Sequence, residues 1–244
     1  MSTRRFEHAN NPGFACSEAV VVLPFGRESY LPAIVEATGG RRVELDETTD
    51  RMVFDLEQAS VPTTLVYSGM GGPAVANALE MVAANGGRRV VLFGACGGVD
   101  SRVSVGDIVV ATAGVRREGV SSYYAPEAYP AVTDAELTDT LWRLAVARVG
   151  TQAHRGVVFT TDASYRQGGE IYAEFSGLVL AVDCECAAAA VVGTRLRLAV
   201  GCLLFCTDNV TLDRQEDRVY RGLADARVRT GFGHGLAAVL GALA

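Results

Sequence analysis

The sequence predicts an α/β fold of βαβ units, and three observations carry that prediction. Apolar runs of strand length alternate with longer segments of helical period. Glycine clusters follow several of those runs, where an α/β sheet opens toward a ligand. The chain has 244 residues, 49 % hydrophobic and 20 % charged, a balance that buries a core without disulfide or metal staples. No repeat, low-complexity tract or linker divides it, so one domain over residues 1–244 is expected.

The elements follow in order. Ala19–Pro24 (AVVVLP) reads as a fully buried strand, followed by a loop and a helix near Ser29–Thr38. Arg51–Glu57 and Thr63–Tyr67 read as two strands, the second ending in SGMGGP. Pro73 sits where a helix starts, and Ala74–Ala84 runs to the stop signal Asn85-Gly86-Gly87. Arg89–Phe93 is another buried strand, closed by GACGG, and Asp107–Val115 is strand-like. Tyr123–Pro130 is an aromatic, proline-bearing loop suited to covering a site. Thr133 and Glu136 form a capping box for a helix that ends at Gly150 and carries Trp142 in the core. Gly156–Phe159, Leu178–Val182 and Leu198–Cys206 are further strands, and Gln215–Leu243 is a terminal helix interrupted by GFGHG.

Composition excludes several functions. With 22 basic and 28 acidic side chains the net charge is −6, and no basic stripe exists to bind a nucleic-acid polymer. All 22 basic residues are arginine. Without lysine there is no Schiff-base chemistry and no P-loop, and any side-chain cation that holds an anion is arginine or histidine. The N-terminus lacks the apolar run of a signal peptide, and no apolar stretch approaches the ~20 residues that span a bilayer. A cytoplasmic protein without membrane contact is expected. The six cysteines show no CxxC pair and no ligand spacing, so they read as reduced thiols with no metal site. His154 and His234 read as structural.

Three glycine clusters stand at strand ends: PFGRE, SGMGGPA and FGACGG. The second parses as G-x-G-x-x-A (Gly69, Gly71, Ala74), a dinucleotide fingerprint. A dinucleotide fold needs a carboxylate at the end of the next strand, and that strand ends Leu92-Phe93-Gly94. The dinucleotide reading is therefore the weaker one.

Five segments in order resemble the nucleoside phosphorylase family, which includes the purine nucleoside and uridine phosphorylases and the adenosylhomocysteine-type nucleosidases. They are SGMGGPA, FGACGGVDSRVSVGDIVVATAGV, VVFTTDASY, VDCECAAAA and CTDNV. The resemblance implies a three-layer sandwich, a central mixed, twisted sheet flanked by helices, and cleavage of an N-glycosidic bond. Glu185 would bind the ribose 2′- and 3′-hydroxyls and stabilise positive charge on the ring, with Cys184 against the sugar face where the family has methionine. Asp183 is assigned no chemistry. Asp208 would hydrogen-bond or protonate N7 of a purine-type base, where the uridine branch has arginine, and Gly97 would lie beside that base. Tyr165 is the choice for the stacking ring, with Tyr123 and Tyr124 as competitors. His8 matches a histidine lent to the ribose of a neighbouring subunit, implying a homo-oligomer, a dimer or a hexamer built as a trimer of dimers.

The sequence departs from the family pattern around the anion. Leu92 and Ala95 stand where the phosphorylases carry an arginine and a Ser or Thr, and the loop Phe25-Gly26-Arg27-Glu28-Ser29 has lost its proline and displaced its arginine. Gly26, Arg27, Arg51, Gly71 and Ala95 remain as candidates for an anion or water site. Glu28 lies near the position of the nucleosidases' water-activating glutamate. Hydrolysis of a purine-type nucleoside is therefore favoured, with no cofactor. The alternatives are phosphorolysis, with phosphate as co-substrate at a rebuilt anion site, and a nucleoside-binding protein without turnover.

Overall fold

The computed structural model describes residues 16–25, 27–38, 41–43, 52–56, 61–166, 173–209, 211 and 219–244. Among the described residues the strands are β1 (Ala19–Leu23), β2 (Arg41–Val43), β3 (Met52–Leu56), β4 (Thr63–Tyr67), β5 (Arg89–Gly98), β6 (Ile108–Arg117), β7 (Ala131–Val132), β8 (Ala153–Thr161), β9 (Ala181–Asp183) and β10 (Ala199–Asn209). The helices given full bounds among the described residues are α1 (Arg27–Thr38), α2 (Gly72–Ala84), α3 (Ala135–Val149), α4 (Cys186–Leu196) and α5 (Ala226–Leu243). The strands form one sheet in the order β10-β6-β8-β9-β5-β1-β4-β3-β2, with β7 beside β6 and a further pairing of β10 with β5. That last pairing closes β5, β10, β6, β8 and β9 into a ring.

The sheet is mixed. β1 pairs in parallel with β4 and β5, and β5 in parallel with β10, whereas β10–β6, β5–β9 and β3–β4 are antiparallel. The antiparallel pairings depart from a dinucleotide-type parallel sheet. Both faces are covered. Val20 and Val22 pack with α2 and α4 residues such as Val75, Leu79 and Val192. Val21 and Leu23 pack with Tyr30, Ile34, Leu141 and Phe232 from α1, α3 and α5. A strand buried on both sides needs apolar residues at every position, which is why β1 reads as an unbroken run.

Several boundaries differ from the sequence reading. β5 does not close at Phe93 but continues through GACGG to Gly98, because β10 pairs with it along its whole length. The glycines there admit close neighbours rather than make a turn: a Cβ on Gly94 would lie 3.0 Å from Leu204, and one on Gly98 would run into Asn209. By contrast Gly69 and Gly71 do make a turn, with φ of 79° and 99°. The cap of α3 is Asp134, whose Oδ1 accepts the Leu137 amide at 2.9 Å. Thr133 instead donates its hydroxyl to the carbonyls of Ala111 and Thr112.

GFGHG does not interrupt the terminal helix. α5 starts at Ala226, capped by Asp225, and Gly231 and Gly235 let it press on the Gly106 carbonyl and the Phe93 ring. The part of the expected helix from 215 to 218 lies outside the described residues. The strand expected at Leu178–Val182 shortens to β9, and β2 and β7 were not anticipated. His154 Nε2 lies 2.8 Å from Asp107 Oδ2, and Trp142 is half-buried against the core. None of the six cysteines is in a disulfide. Among the described residues no helix is long and apolar enough to cross a membrane.

Candidate active site

A cavity of about 380 Å³ opens where β1, β5, β9 and β10 end. Ala95, Cys96 and Gly97 come from β5, Asp183 to Glu185 from the β9–α4 junction, and Thr207 and Asp208 from β10. Pro24, Phe25, Met70, Val182, Ser164 and Tyr220 complete the wall. The sequence-predicted Asp208, Glu185, Cys184, Gly97 and Ala95 thus converge here from three separate parts of the chain.

Asp208 owes its aim to an irregularity. Cys206 pairs with Cys96 and Asp208 with Gly97, so Thr207 is an extra residue in β10. Such a bulge turns the next side chain out of the regular alternation. The Thr207 hydroxyl lies within hydrogen-bonding distance of Asp208 Oδ1 (2.7 Å) and of the Cys96 carbonyl (3.1 Å), and its one proton serves one of them at a time. A Cβ on Gly97 would stand 3.2 Å from Asp208 Oδ2. Glycine there leaves the carboxyl group its place. Burial pushes the pKa of Asp208 up, and the Thr207 hydroxyl offsets part of that rise.

Glu185 is buried at the start of α4. Its Oε1 accepts the Gly71 amide at 2.7 Å and its Oε2 the Cys184 amide at 3.3 Å. Burial, followed by the neighbouring Asp183 charge, pushes its pKa up to about 8 against the pull of those two amides. Gly71, expected at the anion or water site, therefore has its amide engaged by Glu185. Asp183 has a structural role: Oδ1 accepts the Thr160 hydroxyl at 2.6 Å and Oδ2 the Cys186 amide at 2.7 Å, tying β9 and α4 to β8. Burial raises its pKa as well. The Cys184 thiol is pushed up to about 12, by burial first and by Glu185 next, so it stays protonated and apolar against a sugar.

The remaining expectations fall elsewhere. Glu28 and Arg27 lie in α1, but their side chains are outside the described residues, as are Gly26, Arg51 and His8. Tyr165 lies in the short turn Ser164–Arg166 at the cavity's edge, its side chain likewise outside. Neither competitor lines the cavity. Tyr123 is 89 % exposed, and Tyr124 packs on Ala187 and Val191 of α4. The loop they belong to is held away by Arg116, which donates to the carbonyls of Ala125, Pro126, Glu127 and Tyr129.

Phe25, Met70 and Tyr220 were missed as wall residues. Phe25 directly follows the expected strand Ala19–Pro24, the one sequence signal available; the Tyr220 hydroxyl meets that of Tyr30 at 2.9 Å, a contact across 190 positions that spacing does not reveal. Among the described wall residues there are three carboxyl groups and no cation. The described residues contain no group of three His, Cys, Asp or Glu side chains that could hold a metal ion.

The family model described as Phosphorylase superfamily matches residues 20–230. The uridine phosphorylase of Escherichia coli K12 is 37 % identical over 146 residues, 60 % of this chain and 57 % of that enzyme. The guanosine phosphorylase of Halorubrum lacusprofundi is 30 % identical over 156 residues, 63 % of this chain and 64 % of its own length. The matched stretch thus spans less than two thirds of either relative. In fold, the chain is similar to purine nucleoside phosphorylase from Toxoplasma gondii in complex with immucillin-H, with a TM-score of 0.81, 21 % identity, and coverage of 94 % of this chain and 91 % of that one.

Proposed function

The chain belongs to the Phosphorylase superfamily, and from that premise we propose that it cleaves the N-glycosidic bond of a purine-type nucleoside by transferring the ribosyl group to phosphate. The observation that carries the purine part is Asp208, a carboxyl group with a raised pKa beside Gly97 at the cavity wall. As the C1′–N9 bond breaks, its electron pair flows into the base and N7 becomes basic. A protonated Asp208 donates there, and the base leaves neutral. A departing pyrimidine spreads its charge over carbonyl oxygens, which a single carboxyl group serves poorly.

Glu185 supplies the ribose half. Its carboxylate accepts the 2′- and 3′-hydroxyls and faces the oxocarbenium charge that develops on the ring. With a pKa near 8 in the empty cavity it holds a proton; the hydroxyl donors and the growing positive charge favour its ionised form. Cys184 offers the sugar a soft, uncharged face. A phosphate oxygen then bonds to C1′, giving ribose 1-phosphate and free base.

Phosphorolysis takes precedence over the hydrolysis favoured by sequence because relatives at 37 % and 30 % identity are named phosphorylases. Hydrolysis, with Glu28 as base, is the second reading, supported by the absence of any cation among the described wall residues. The same proposal includes a homo-oligomer in which a second copy lends His8 and Arg51. Product analysis on inosine, guanosine, adenosine, methylthioadenosine and uridine, each with and without phosphate, tests it. Purine release that needs phosphate and yields ribose 1-phosphate is expected. Release of free ribose regardless of phosphate would replace it with hydrolysis, and preferential cleavage of uridine would overturn the role of Asp208.

A further inference from the structure

A second cavity, of about 500 Å³, is lined by Arg88, Arg195 and Arg197 with Ala83 and Leu196. It sits at the opposite end of the sheet from the nucleoside cavity. Arg88 precedes β5 and Arg197 lies two residues before β10, whereas Ala95–Gly97 and Asp208 are near the far ends of those strands. Seven residues of strand separate Arg89 from Cys96, so the two cavities are roughly 20 Å apart. α2 and α4 both begin at the nucleoside cavity, with Gly71 and Glu185 at their caps, and both end at the arginines. We propose that this arginine-lined cavity binds a condensed phosphate, a di- or triphosphate, either free or as part of a nucleotide.

Three features support the site. First, the three guanidinium-bearing residues are exposed, and among the described residues their side chains are little engaged. Arg88 Nη1 donates to the carbonyl of its neighbour Gly87, and among the described residues none of the three makes an ion pair. That is unexpected in a chain of net charge −6.

Second, the cations exceed what local structure requires. The C-terminal ends of two helices carry about half a negative charge each, roughly one in total. Three guanidinium groups leave the cavity net positive after that offset.

Third, Arg197 occupies a costly backbone position. Its amide bonds back to Gly193 and Thr194, and the Leu198 amide to Gly193, which is the left-handed C-terminal cap where glycine is preferred. Arg197 is the one non-glycine described residue with positive φ, at 59°. A guanidinium group is kept where a hydrogen atom would strain the backbone less. Guanidinium forks match phosphate oxygens two at a time, and a chain of linked phosphates reaches several forks at once.

Calorimetric titration of the full chain with inorganic tripolyphosphate tests the assignment. One site per chain is expected, with orthophosphate at least tenfold weaker. Arg197→Gly removes the cation and supplies the residue the cap favours, so it folds; it and Arg195→Ala are each expected to weaken tripolyphosphate about tenfold or more. A nucleoside triphosphate that binds tighter than tripolyphosphate and is equally weakened by both variants identifies a nucleotide; equal affinity identifies the condensed phosphate itself. No binding to the unmodified chain at millimolar tripolyphosphate, or binding unchanged in both variants, overturns the proposal.

Discussion

Replacing Glu185 by glutamine should change stability with opposite signs at low and high pH. Below the ordinary value of 4.5 the folded and unfolded chains both hold the Glu185 proton, and the group is neutral to stability. Above it the unfolded chain releases the proton while the fold keeps it up to about 8. The stability present at low pH is therefore lost as pH rises through that window, at about 1.4 kcal/mol per unit, to a ceiling of about 5 kcal/mol. Glutamine removes this loss at a cost. Its amide nitrogen faces the Cys184 amide that Oε2 now accepts, and its single carbonyl must keep the Gly71 amide that Oε1 now accepts while the donor beside it is held off. Each change costs about 1 kcal/mol.

The balance at pH 8 is about 5 − 2, a gain of roughly 3 kcal/mol for Glu185→Gln. At pH 5 the removed loss is under about 1 kcal/mol, so the variant is less stable by roughly 1 kcal/mol. Urea unfolding of both proteins at pH 5 and pH 8.5, at equal chain concentration, measures the two differences. Turnover of a purine nucleoside is expected to be lost at either pH. A stability difference of the same sign and size at both pH values would refute the reasoning, because it would mean that Glu185 is ionised in the empty fold as it is in the unfolded chain.

Asp208→Asn should lower kcat for a purine nucleoside by about 10²- to 10⁴-fold with KM little changed, in steady-state assays of base release. Gly97→Ala places a methyl group 3.2 Å from Asp208 Oδ2 and 3.4 Å from Val182. It is expected to lower kcat/KM roughly tenfold while shifting Tm by only a few degrees, since displacing a catalytic group costs rate before it costs stability. Arg197→Gly should raise stability by about 1 kcal/mol, read as a Tm increase of roughly 2–4 °C.

The layers of the fold were legible because both sheet faces are covered and the central strands are apolar throughout. Thr63–Tyr67 came out to the residue, and Ala19–Pro24 within one. The errors share a cause. GACGG, GFGHG and Thr133-Asp134 all contain turn or cap residues whose local preference points one way while a distant partner decides. Gly98 belongs to a strand because Asn209 lies beside it, and Gly231 to a helix because the Gly106 carbonyl presses on it. The candidate site divides similarly. Glu185 and Asp208 were singled out from their motifs and both line the cavity, but the Gly71 amide that orients Glu185 is 114 positions away, and the bulge that aims Asp208 depends on its pairing with Gly97.

The acid-rich wall and an anionic nucleophile look incompatible until protonation is considered. Asp183, Glu185 and Asp208 all have raised pKa values, chiefly from burial. Glu185, pushed up to about 8, holds a proton near neutral pH and so takes one negative charge off the wall that an approaching phosphate meets. In the proposed reaction, Glu185 ionises when ribose hydroxyls and the oxocarbenium charge are present to compensate it, and Asp208 gives up its proton to the base at the same stage. The anion is then close to a positive sugar rather than to bare carboxylates. In the proposed reaction, burial thus does two jobs at this wall: it favours the protonated acid that the leaving base needs, and it lessens the negative charge that the nucleophile meets. Leu92 is buried in the core and Ala95 offers no donor beyond its backbone, so neither position supplies a cation for phosphate.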